Sequence, residues 1–528
     1  MTFMRLSGRA MLLASAAASA LVAGDAVAQQ FTCPKKGGEL VFAQEAKVNS
    51  LDQHTSASVS TRNITLNMYE SLITRDENFN PIPELAASID ASQDGKTYVF
   101  KLRQGIKFHN GKPMTSADVV ATFGRYKQFG IERGILDVVE RWEAPDASTF
   151  ILHMKAPQPT FLENLSSFLV PIVIVPAENA KAPAMQLEPV GTGPWQFVEF
   201  VADSHVAVKR FDGYTPDARS KDLDGFGGYK VACLDSVKFR IVSEPGARVA
   251  GLETGELHGV EDVPTKAVDR LKQNKDIVLK QLKNYWIQLA EVNTAAAPTD
   301  NLKFRQAAQA ALDMDEIMQA ATDDSYQLNI GLQYPGQAAY TEAGKETYNQ
   351  KNAAKAKKLL AESGYKGEEM ILLTNKDYTS MYNAALVMAE QLKAVGINAK
   401  LLVVDWPAAT AMFEKSNTGW NFYFDAFANN PLIGPISSVR KFATPQNMYK
   451  PKTPDDIDKV FNAAFDEMIN GTTPEIRKAA FAKAQARLLE QVYVVPFGSM
   501  TKAQAFRANV QNFRSYRIPR MSNVYFSG

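Results

Sequence analysis

The chain has 528 residues, which at the usual ~150 per domain is enough for about three domain-sized units. Hydrophobic residues make up 45% and charged residues 22%, a composition that folds rather than one that stays disordered. Lys and Arg number 58 against 57 Asp and Glu, so the net charge of +1 gives no electrostatic footprint for nucleic acid or an anionic membrane surface. Two cysteines and five histidines are too few for a multi-site metalloprotein.

Residues 1–28 read as a secretory signal peptide. Arg5 and Arg9 supply the positive start, residues 10–23 an apolar run, and Ala26-Val27-Ala28 a small-x-small cleavage site. The run is shorter than the ~20 residues a membrane span needs, so release into the periplasm is expected over retention as an anchor. Adjacent arginines are absent, and Gln30-Phe31-Thr32 before Cys33 does not resemble a lipoprotein box. Removing residues 1–28 takes away Arg5, Arg9 and Asp25, which leaves a mature chain of formal net charge zero. Cys33 and Cys233 are the only cysteines; in an oxidising compartment they are expected to form a disulfide, the alternative being two buried thiols.

Along the chain, strand and helix patterns alternate. Residues 39–43 read as a strand after Gly37-Gly38. Residues 60–72 carry Ile64, Met68 and Leu72 in a helical stripe. A hairpin follows, with strands over 86–90 and 97–102 around Gln93-Asp94-Gly95; Asn110-Gly111 marks another turn. Thr115-Ser116-Ala117-Asp118 caps a helix through Val119, Val120 and Phe123. Farther on come a strand over 237–242, a helix over 247–254 and a strand over 286–293. Helices follow over 301–313 and 353–362, the second closed by Ser363-Gly364. Residues 370–374, 384–395 and 399–404 form a β-α-β unit, which calls for parallel strands. A helix over 474–490 leads into a strand at 493–497 that returns to the first half. The pattern predicts an α/β fold of two lobes.

Searches for catalytic motifs find little. There is no Gly-x-Ser-x-Gly elbow and no His-Glu-x-x-His helix; His54, His109, His153, His205 and His258 are scattered singly. Gly191-Thr192-Gly193-Pro194 and Gly225-Phe226-Gly227-Gly228 complete neither a dinucleotide nor a P-loop pattern, and the acidic loop 217–224 lacks calcium-loop spacing. No cofactor or metal is therefore expected and the protein is read as a non-enzyme. A dispersed Ser/His/Asp triad leaves no linear trace, so a periplasmic hydrolase stays as the alternative.

One long stretch does carry a resemblance. Asp94-Gly95-Lys96-Thr97-Tyr98-Val99-Phe100-Lys101-Leu102-Arg103, then Gly105-Ile106-Lys107-Phe108-His109-Asn110-Gly111-Lys112-Pro113-Met114-Thr115-Ser116-Ala117-Asp118-Val119-Val120, resembles the signature of solute-binding protein family 5. Asn67-Met68-Tyr69-Glu70-Ser71-Leu72, Gly191-Thr192-Gly193-Pro194-Trp195 and Leu359-Leu360-Ala361-Glu362-Ser363-Gly364-Tyr365 fit in the same order. The resemblance implies a two-lobed periplasmic-binding-protein fold with a two-strand hinge. Lobe I takes 36–284, with an extra subdomain near 72–205, and lobe II 285–496; 497–528 returns to lobe I. Both cysteines then lie in lobe I, which favours their pairing. The implied role is that of a monomeric carrier without a membrane span. It would capture a peptide or peptide-like solute and deliver it to an inner-membrane ABC permease, the alternative cargo being an opine, a sugar or a metal chelate.

The resemblance also points to ligand-binding residues. Peptide carriers of the family hold the ligand ammonium with an Asp in a Trp-x-x-Asp stretch. The corresponding stretch here contains Asp425, Phe427, Asn429 and Asn430, with Phe427 at the Trp position and Asn430 at the Asp position. An amide offers no counter-charge, so an ordinary free-amino peptide is placed in doubt unless Asp425 substitutes. Lys376, with Tyr378, matches the region that holds a ligand carboxylate. Trp286, Trp406 and Trp420 are candidates for stacking in the cleft, or else core residues.

Overall fold

The computed structural model describes residues 30–528 except 159, 170, 428–434 and 445. The signal-peptide reading of 1–28 therefore lies outside the described residues. One large mixed sheet organises the chain. Its order from one end is Ala399–Val404, Met370–Asn375, Phe422–Phe427, Ile277–Val292, Val494–Arg507, Gly259–Val260, Glu39–Gln44, Ser236–Ile241, His205–Arg210 and Trp195–Val201. The first two strands pair in parallel around the helix Thr379–Ala394, as the β-α-β pattern requires. At the other end Glu39–Gln44 runs parallel to Ser236–Ile241.

The middle of the sheet holds the two longest strands, Ile277–Val292 and Val494–Arg507, paired antiparallel. Residues 277–282 lie against 507–502 and residues 286–291 against 500–494, with a break in register between Leu282 and Trp286. Asn284 sits in the break with φ +50°, a left-handed conformation that Asn tolerates better than most residues. Arg517 clamps the break, donating from Nη2 to the Asn284 carbonyl at 2.5 Å and from Nη1 to the Tyr285 carbonyl. The sequence predicts only 286–293 and 493–497 of these strands. The missed halves alternate exposed and buried residues or carry buried polar groups such as Lys502 and Gln504, a pattern that mimics a loop.

A separate four-stranded antiparallel sheet, Ala86–Ala91, Thr97–Leu102, Thr149–Met154 and Val139–Asp146, packs against the helix Ser116–Phe129 through Phe100, Phe123, Tyr126 and Phe150. The predicted hairpin is present, with Ile89 opposite Phe100 and Gly95 at φ +67° in its turn. At the predicted cap, the Thr115 N–H and hydroxyl both donate to Asp118, at 2.9 and 3.1 Å.

Two predicted helices end differently. The stripe over 60–72 predicts a helix through Leu72, but the helix is Val59–Met68. The N–H of Gly193 takes the Met68 carbonyl at 2.9 Å, and a Cβ at Gly193 would meet that oxygen at 2.7 Å, so the passing backbone replaces the next turn. The region 301–313 is capped at Asn301, whose side chain accepts from Phe304 N–H, and stops at Ala311; Asp313 then caps a second helix, Met314–Thr322. The expected disulfide is formed, with Cys33 and Cys233 5.5 Å apart at Cα.

Candidate functional site

Where the two long strands cross the middle of the sheet, side chains from its two ends face each other across a cleft of about 460 Å³. That volume is in the range of small-ligand sites. One wall comes from residues 55–62 and 129–133, the other from 378–450 with Trp286. The walls touch: Trp406 Nε1 donates to Ser58 Oγ at 2.9 Å, and Lys47 lies 3.5 Å from Asp405. Thr265 Oγ1 donates to the Thr322 carbonyl at 3.1 Å.

Aromatic rings line the second wall in sequence. Trp286 meets Tyr378 edge to face at 5.3 Å, Tyr378 meets Trp406 at 5.1 Å, and Tyr423 stacks on Phe413 at 4.5 Å. Such contacts hold each ring in one orientation, which leaves a rigid, apolar surface for a ligand to pack on. Phe427 extends it, with the Lys441 ammonium 4.1 Å above its ring; the Lys450 ammonium stands 4.9 Å from the Phe413 ring.

Charge is unevenly distributed in this cleft. Arg62, Arg133, Lys415, Arg440, Lys441 and Lys450 line it, against Glu132, Glu414 and Asp425. Among the described residues none of these nine groups forms an ion pair. Arg62 is buried, donates to the carbonyls of Ala57 and Leu169 at 2.7 and 2.8 Å, and keeps its Nε–H without an acceptor. Burial pulls its pKa down to about 10, so it remains cationic at neutral pH. Arg440, 7% exposed, likewise leaves Nε–H without an acceptor. Burial raises the pKa of Glu132 and of Asp425, with nearby cations opposing the shift.

The predicted site residues fall in four groups. Trp286, Tyr378, Trp406, Asp425 and Phe427 all line the cleft. Lys376 does not; it is exposed, with its ammonium 5.1 Å from the Tyr382 ring. Trp420 is 1% exposed, donates to the Ser416 carbonyl and packs on Phe413, so it supports the wall from behind. Asn429 and Asn430 lie outside the described residues. Sequence reasoning missed Arg62 and Glu132 on one wall and Arg440, Lys441 and Lys450 on the other. The helix Val59–Met68 carries six polar residues, Ser60, Thr61, Arg62, Asn63, Thr65 and Asn67, and all six are buried, which suits a helix facing a polar cavity rather than solvent.

Against the two long strands lies a second, smaller cavity of about 150 Å³. Lys502, 1% exposed, contacts the Glu45 carboxylate and stands 4.0 Å above the Trp286 ring. Arg248 is 3.6 Å from Glu45 and 3.9 Å from Asp262, and Glu261 accepts from the Glu45 N–H at 3.1 Å. Three carboxylates thus share two cations. Burial, together with Glu45 and Glu261 nearby, pushes Asp262 up to about 7, and burial also raises Glu261.

Fold and cleft together define a binding protein of the periplasmic type. The oligopeptide-binding protein AppA of Bacillus subtilis has the same fold, with a TM-score of 0.81 at 19% identity over 94% of this chain and 100% of that one. The chain belongs to the bacterial extracellular solute-binding proteins, family 5, whose middle region matches residues 80–449. A probable peptide ABC transporter periplasmic-binding protein of Sinorhizobium fredii is 28% identical, over 70% of this chain and 71% of its own length. The glutathione-binding protein GsiB of Escherichia coli K12 is 27% identical, over 73% and 74%. Among the described residues no helix is long and apolar enough to cross a membrane.

Proposed function

We propose that this protein is the periplasmic solute-binding component of an ABC importer. It encloses a peptide or peptide-like solute between two lobes and delivers it, chemically unchanged, to a membrane permease. One lobe comprises about 36–284, with a subdomain near 72–205, and the C-terminal 497–528; the other comprises about 285–496. The single observation that carries the reading is the cleft itself, lined from both ends of a sheet that is continuous only through two long strands. A strand pair with a register break at Leu282–Trp286 is a place for the two halves to rotate, and a ligand touching both walls shifts the population toward the closed form. The peptide and glutathione carriers among the relatives support the cargo class. The test is isothermal titration of the mature protein with peptides, followed by mass analysis of the ligand. Saturable one-to-one binding with intact recovery is expected; turnover of the ligand would overturn the carrier role in favour of a hydrolase.

A further inference from the structure

The charge in the cleft narrows the cargo beyond a peptide-like solute. Six cations line it against three carboxylates, an excess of three, in a mature chain of formal net charge zero. The undescribed internal residues, 159, 170, 428–434 and 445, carry no ionisable side chain, so they leave the count unchanged. The excess is on both walls: Arg62 and Arg133 on one, Lys415, Arg440, Lys441 and Lys450 on the other. Arg62 and Arg440 are buried with Nε–H groups that lack an acceptor, and Lys441 and Lys450 face aromatic rings in place of carboxylates. Glu291, on the hinge strand beneath, is fully buried with neither carboxylate oxygen hydrogen-bonded, and burial holds its acid well above the usual carboxylate range.

Closing such a cleft around water alone, or around a neutral solute, brings like charges together in a partly desolvated space. An anion between the walls removes that opposition and supplies the missing acceptors. The charge of the ligand then contributes directly to the differential affinity that drives closure. We propose that the solute carried by this protein is a net anion, a small peptide-like acid whose carboxylates outnumber its amines and are held between Arg62 on one wall and Arg440, Lys441 and Lys450 on the other.

This inference rests on the carrier reading above, and the experiment separates the two. The mature protein, stripped of bound solute by mild unfolding and refolding, is titrated with three tripeptides: Glu-Ala-Glu, Ala-Ala-Ala and Lys-Ala-Lys. The acidic peptide is expected to bind at least ~10-fold more tightly than the neutral one, equivalent to about 1.4 kcal/mol, and the basic one most weakly. The preference is expected to shrink as NaCl is raised tenfold, and to fall severalfold in Lys441→Gln and Lys450→Gln, with affinity for Glu-Ala-Glu reduced more than affinity for Ala-Ala-Ala. Both lysines are only partly buried, and an unchanged thermal midpoint without ligand shows that each variant folds. Equal or reversed binding of the neutral or basic peptide overturns the anionic cargo and leaves the carrier role standing. Failure of all three to bind at millimolar concentration defeats the peptide-carrier reading and this inference with it.

Discussion

Replacing Lys502 with Met tests the charge cluster beside the two long strands. Lys502 is 1% exposed, touches Glu45 and lies 4.0 Å above Trp286, on the strand that crosses between the two ends of the sheet. Without it Glu45, Glu261 and Asp262 retain only Arg248, no closer than 3.6 Å to Glu45. Removing one partner of a buried pair costs about 3–5 kcal/mol, because the other charge stays desolvated. Loss of the cation–π contact adds about 1 kcal/mol, which the Met sulfur offsets in part through its own contact with the ring. The expected loss is therefore about 3–5 kcal/mol at pH 8. It shrinks as the pH is lowered toward about 5.5, because the orphaned carboxylates then take up protons. Urea unfolding followed by circular dichroism at the two pH values reads this directly. Adding Glu45→Gln to Lys502→Met is expected to restore most of the loss at pH 8. A loss under about 1 kcal/mol, or one that Glu45→Gln leaves untouched, would refute the reasoning.

Three further outcomes follow from named contacts. In the folded state Asp262 is pushed up to about 7 from an ordinary 3.8, so the folded chain holds the extra proton between those values. This group thus makes stability fall as pH rises through that window, by up to about 1.4 kcal/mol per pH unit. Asp262→Asn removes the effect, so urea midpoints of the variant relative to the parent are expected to rise from about pH 5 to about pH 7.5. Ser58→Ala deletes the acceptor of the Trp406 indole N–H, a contact between the two cleft walls. Titration with Glu-Ala-Glu is expected to show affinity about fivefold lower, from a hydrogen bond worth about 1 kcal/mol. Replacing Cys33 and Cys233 together with Ser opens a link across 200 residues; chain entropy credits such a loop with about 5 kcal/mol, visible as a lower urea midpoint.

Much of this protein was legible in the amino-acid order. Local signals sufficed where a segment's neighbours in sequence are also its neighbours in space. The 89–100 hairpin, the Thr115–Asp118 cap and the parallel strands around Thr379–Ala394 are of that kind. Apolar aromatics read as cleft candidates, Trp286, Tyr378, Trp406 and Phe427, also line the cleft. The rest was settled by distant contacts. The helix from Val59 stops at Met68 because Gly193, more than a hundred residues later, takes its carbonyl. The two long strands extend through polar stretches because each half is paired by the other, and no local pattern marks residues such as Lys502 and Gln504 as buried. The basic character of the cleft was hidden for the same reason. Arg62 is hundreds of residues from Arg440, Lys441 and Lys450 in a chain whose positive and negative charges nearly cancel, and only folding gathers them where their charges add instead of cancelling against neighbours.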